Sequence, residues 1–193
     1  MNSEERIKLG DFKLDKERFL RICKVLFNGN DISLRQQERI FVLARLSLRS
    51  FKVNNYLVPQ VYLFLNFIKI VKNEFYNNLK SKKLSLDGLQ REFLKIVQSN
   101  IDLHNRTELM FLEAYLLMFY QNYKSPPNSR LRLYETGKNF EDRKLLFHSI
   151  LGENSDKEFL NVISNIETRD SNISDISLEH FLMKIDLLEQ VSI

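Results

Sequence analysis

The chain has no tryptophan, one cysteine, three prolines and five glycines among its 193 residues. One cysteine excludes an internal disulfide. Cys23 stands among Ile22, Val25 and Leu26, a setting that predicts a buried thiol rather than a nucleophile. So few turn-forming residues argue against a sandwich or barrel of many short strands. The strongest apolar run, residues 61–71, is broken by Asn66 and Lys69 and at eleven residues is too short to span a bilayer. It reads as a buried central helix, with Pro59 at its first turn, where the missing N–H costs nothing. The first ten residues are polar and charged and lack the apolar core of a signal peptide. A cytoplasmic protein without membrane insertion is expected.

Catalytic signatures are equally scarce. No two glycines make a G-x-G pair, and the one Gly-Lys pair, Gly137-Lys138, fails as a phosphate loop. Arg132 occupies the position of the required upstream glycine, and Asn139 follows where Ser or Thr would hold magnesium. His104, His148 and His180 are isolated and show no metal-ligand spacing. His148 is expected as a partly buried helix residue. There is no G-x-S-x-G elbow. The sequence therefore predicts no catalytic residues, no metal and no cofactor.

What the chain does contain is helix. Hydrophobic residues make up 44% of it, enough for a substantial core. Apolar residues at 3.6-residue spacing, with cap residues before them, predict helices over 14–27, 34–51, 59–79, 86–98, 107–123, 139–151, 156–166 and 177–190. Asn28-Gly29 reads as a glycine stop for the first of these. The segment 109–120 is apolar nearly all round and reads as a core helix. Residues 130–134 alternate as in a short strand. The expected fold is all-α, an irregular helical bundle of six to eight helices. Residues 1–125 would form the main helical domain. Residues 126–193 would be a C-terminal helical extension packed on it, after the Pro126-Pro127 linker.

The helix that starts at Ser33 carries the clearest local wording. Ser33 and Gln36 have the spacing of a capping box. Ile40, Ala44, Leu48 and Phe51 fall on one stripe. Arg35, Arg39, Arg45, Arg49 and Lys52 fall on the opposite arc. Guanidinium groups on such an arc suit phosphate or carboxylate partners.

The segment 31–51, followed by Tyr56-Leu57-Val58-Pro59 and the apolar run, resembles the region after the nucleotide-binding core of KAP-family P-loop NTPases. The matching residues are Leu34-Arg35, Glu38-Arg39-Ile40-Phe41, Pro59, Phe64-Leu65, Lys69 and Phe75-Tyr76. The resemblance covers residues 11–80 and lacks the family's P-loop. It implies the helical part of such an ATPase without its engine, in a setting that in bacteria includes phage exclusion. It also implies that Arg35, with Arg39, Arg45 and Arg49 on the same face, would look toward a partner or its nucleotide.

Charge is divided unevenly. Residues 1–100 hold 19 Lys and Arg against 10 Asp and Glu, and residues 101–193 hold 10 against 15. Either the two halves attract each other, or the basic half meets an acidic partner. The expected function is a non-catalytic helical interaction or regulatory module. Its partner would be a protein, either an ATPase core or a second copy of the chain. The alternative is a basic helical nucleic-acid-binding protein contacting nucleic acid through the N-terminal half.

Overall fold

The structure is a computed structural model that describes residues 3–48, 57–125, 133–135, 144–151, 156–169 and 173–187. Side chains are described from Lys16 onward, those of Ser47, Leu48, Arg169 and Ser174 excepted. The fold is all-α. Eight α-helices lie among the described residues: α1 Ser3–Asn28, α2 Leu34–Leu48, α3 Pro59–Val71, α4 Asn73–Lys80, α5 Leu86–Val97, α6 Arg106–Lys124, α7 Asp156–Arg169 and α8 Glu179–Asp186. One small antiparallel pair, β1 Tyr134–Glu135 with β2 Lys144–Leu145, sits between α6 and α7. No described helix is long and apolar enough to cross a membrane.

Two helices organise the core. Every residue of α3 from Gln60 to Lys69 is buried, and α1, α2 and α4 pack along it. In α6 all residues from Leu109 to Tyr120 are buried, and α5 and α7 pack against it. An all-round apolar helix has no face to give to water, so neighbours must surround it. Phe64 links the layers, its ring 6.2 Å from that of Phe75 and 5.6 Å from that of Phe93. Cys23 is buried in this core, and desolvation pushes its thiol up to about 12, so it stays protonated.

The C-terminal elements are tied to α6 by backbone as well as side chains. Leu178 N–H donates to Phe119 O at 2.9 Å, and Asn122 Nδ2 donates to Ile176 O at 2.9 Å. The rings of Phe119 and Phe181 stack with centroids 5.4 Å apart. Helix α8 also reaches α2 and α3. Pro126-Pro127 lies outside the described residues.

Several elements differ from the sequence reading. The helix expected over 59–79 is interrupted at Lys72, whose φ of −128° and ψ of 55° end α3 and begin α4. The helix expected over 139–151 is absent from its described part: 144–145 form β2, and 146–151 are bends and irregular backbone. Two buried side chains, Gln90 and Glu113, take up the backbone of residues 148 and 150 in place of helix bonds. His148 is correspondingly exposed and off any helix, with Nδ1 2.8 Å from Asp156 Oδ1.

Gly29 does follow α1, but no described glycine has positive φ, so it is not a left-handed stop. Asp31 takes the left-handed conformation instead, with φ 46°. The approach at Gly29 is close: a Cβ there would press on Asn100 Nδ2 and Ser99 Oγ, and both side chains would have to move. Those two residues close the end of α1: Asn100 Nδ2 donates to Val25 O at 2.8 Å, and Ser99 Oγ donates to Gly29 O at 3.2 Å. Asn30 Nδ2 adds Leu26 O and, across to α5, Ile96 O, both at 3.0 Å.

Candidate functional site

Helix α2 begins as its sequence demands. Ser33 N–H donates to Gln36 Oε1 at 2.9 Å, and Gln36 N–H donates to Ser33 Oγ at 3.3 Å. The reciprocal pair satisfies two backbone donors and fixes where the helix starts. With the start fixed, the faces follow. Ile40 is fully buried and Ala44 nearly so, both turned to α3, where Tyr62 Oη donates to Ala44 O at 3.4 Å. Leu48 belongs to α2, but its side chain, like Arg49 and Phe51, lies outside what is described.

The outer face carries the expected arginines. Arg35, Arg39 and Arg45 are exposed. None of them makes a hydrogen bond or ion pair with a described residue. Glu38, on the same arc, does not pair with them either. Arg49, the fourth arginine of the set, lies outside the described residues.

The sequence reading missed what lies between the arginines. Leu34 is 78% exposed, Val42 56%, Phe41 43% and Leu46 39%. At 100° per residue these four and the three arginines interleave over one arc of about 160°. From Leu34 to Leu46 the face runs about 18 Å along the axis. The Phe41 ring lies 5.5 Å from that of Phe27 and nearly perpendicular to it. Single exposed apolar residues are ordinary, but four on one helix face are not. The signal was present in the sequence as Phe41-Val42-Leu43 and Leu46. It could not be assigned to the outside until α3 had claimed Ile40 and Ala44.

Part of the charge asymmetry is used internally. Arg21 of α1 pairs with Glu108 of α6 at 2.8 Å, and Lys69 and Lys80 both pair with Asp186 of α8, at 2.9 and 2.7 Å. The arginines of α2 stand apart from these pairings.

Elsewhere, among the described residues, two open clefts stand out. One, of about 570 Å³, lies between α4 and α5 and is bordered by Lys72, Asn73, Glu74 and Lys95. The other, of about 660 Å³, lies beside the end of α1 and is bordered by Arg21, Lys24, Asn100 and His104. In the second, the amides serve the fold: Asn100 holds Val25, and Asn105 Nδ2 donates to Asn100 O at 2.6 Å. Among the described residues no three His, Cys, Asp or Glu side chains converge on a metal position. Gly137-Lys138 lies outside the described residues.

Compared with family models, with curated proteins and with solved structures, the chain shows no match.

Proposed function

We propose that this chain is a non-catalytic helical interaction and regulatory module whose docking face is the outer side of α2, and that it accompanies a P-loop ATPase of the KAP type. The observation that carries the reading is the α2 face itself: Arg35, Arg39 and Arg45 without a described counter-charge, interleaved with four exposed apolar side chains. An aromatic side chain and arginines set in an exposed apolar patch are the composition of protein interfaces. Phosphate backbones reward the arginines but not Leu34, Val42 and Leu46, which favours a protein over a nucleic acid. The wording of residues 11–80, with its resemblance to the helical region of KAP-type ATPases, supports the partner's class.

The test places a photo-crosslinking residue at Val42 or Leu46, with exposed Leu103 as the control position. A single protein carrying a P-loop, crosslinked from α2 and not from Leu103, is the expected result. Adding the purified chain to that ATPase should change its ATP turnover. The Arg35→Ala/Arg39→Ala variant should melt like the parent, since exposed charges contribute little to stability, and should lose the effect. Crosslinks to nucleic acid alone, or equal crosslinking from Leu103, would overturn the reading.

A further inference from the structure

Resting on that reading, we infer that the segment received by α2 is an acidic amphipathic helix of a partner protein. Three features of the face define its complement. It is a straight helical surface about 18 Å long, so a straight element of three to four turns matches it. Its apolar residues recur at 34, 41–42 and 46, a spacing met by a helix with apolar residues at i, i+3 or i+4, and i+7. Its described charges are Arg35, Arg39 and Arg45 against Glu38, so the complementary helix carries carboxylates beside its apolar stripe. Guanidinium forks bind carboxylates bidentately, which adds register to simple attraction.

A second copy of the chain does not supply this complement from its apolar α6, whose residues are buried in its own core. Helix α7 has an acidic first turn, Asp156 and Glu158, but these acids already face His148 and Arg106, and α8, with Glu179 near exposed Met183 and Leu187, is eight residues long, about 12 Å against the roughly 18 Å of the face.

The experiment uses the full chain and a fluorescein-labelled, designed 18-residue peptide with leucines at the stated spacing and glutamates elsewhere. Two control peptides replace glutamate by lysine or leucine by serine, and a single-stranded oligonucleotide is the third probe. Fluorescence anisotropy should give a dissociation constant of about 10–100 µM for the acidic amphipathic peptide. Binding should weaken as salt rises from about 50 to about 300 mM. Arg35→Glu/Arg39→Glu/Arg45→Glu should weaken it at least about tenfold. Val42→Ser/Leu46→Ser should do the same at both salt concentrations. Circular dichroism melts should show both variants folded.

Equal binding of the serine control, preference for the oligonucleotide, or no binding at about 1 mM would overturn the inference. Sedimentation showing a dimer abolished by the same variants would overturn it in favour of a second copy. If crosslinking from Val42 still finds an ATPase whose contacting segment is neither acidic nor helical, this inference fails and the proposed function survives.

Discussion

The Nζ of Lys69 on the central helix lies 2.9 Å from Oδ1 of Asp186 on the last one, 117 residues further along the chain. Asp186 Oδ1 also accepts from Tyr76 Oη at 2.7 Å, and its Oδ2 takes Lys80 at 2.7 Å. One carboxylate thus joins α3, α4 and α8. Lys69 is almost wholly buried, so the arrangement matters more than a surface ion pair would.

Asp186→Ala should destabilise the protein by about 2–3 kcal/mol, because it removes the carboxylate opposite a buried ammonium. Thermal melts should fall by about 4–12 °C. Burial alone would raise the Asp186 carboxyl, but hydrogen bonds from Lys80, Lys69 and Tyr76 outweigh it and hold it below the ordinary 3.8. Its contribution is therefore present above that value and is lost as pH falls through the lowered one. Parent and variant should differ most near neutrality and converge in acid. A gap that persists unchanged into acid would contradict this account.

Glu113 has the opposite sign. It is 1% exposed on α6 and accepts from Gln90 Nε2 at 2.7 Å, Ser149 Oγ at 2.6 Å and Ile150 N–H at 3.1 Å. Burial raises its carboxyl above the ordinary 4.5, and these three donors only partly offset that. A raised value favours the folded state below 4.5, and that advantage is lost as pH rises through the folded value. The stability of Glu113→Gln should therefore lack this decline above pH 4.5. Glu113→Ala, which strands three donors, should cost about 3 kcal/mol and speed amide exchange at Ile150. Unchanged exchange there would show that Glu113 does not hold the loop.

Asn66 sits fully buried in α3. Its Nδ2 donates to Tyr62 O at 2.8 Å, one turn back, while its Oδ1 accepts nothing from the described residues. Asn66→Leu should stabilise the protein by about 1 kcal/mol, since an unsatisfied buried acceptor costs more than its removal. Chemical denaturation would measure it. Loss of stability would mean that this oxygen has a partner.

The caps and periods of the sequence carried most of the fold. Ser33 with Gln36, and Ser85 accepting from Gly88 N–H at 3.0 Å, start α2 and α5 where their side chains imply. Local chemistry sufficed there because both partners lie within one turn. It failed where partners are remote. Residues 144–151 have an apolar pattern that fits a helix, but Gln90 and Glu113, far away in sequence, draw that backbone out. Lys72 breaks α3 from α4 with neither proline nor glycine to mark it. At the candidate site the three described arginines are exposed as their arc implies. The apolar half of that face was not legible, because a period tells which residues share a side and not which side meets the core.

The end of α1 has a consequence for the order of assembly. The Val25 carbonyl in its last turn takes Gly29 N–H at 3.3 Å and also Asn100 Nδ2, and the Gly29 carbonyl just beyond the helix takes Ser99 Oγ, so two of these donors come 75 and 70 residues later. At about 5–20 residues per second, a ribosome reaches Asn100 about 4–15 s after it has passed Val25. During that interval the last turn of α1 has only its local donors, Gly29 N–H and Asn30 Nδ2, and lacks the amide and hydroxyl groups not yet synthesised. The end of α1 thus gains its last two bonds only after α5 has been made, which ties the C-terminal turn of one helix to the segment that follows another.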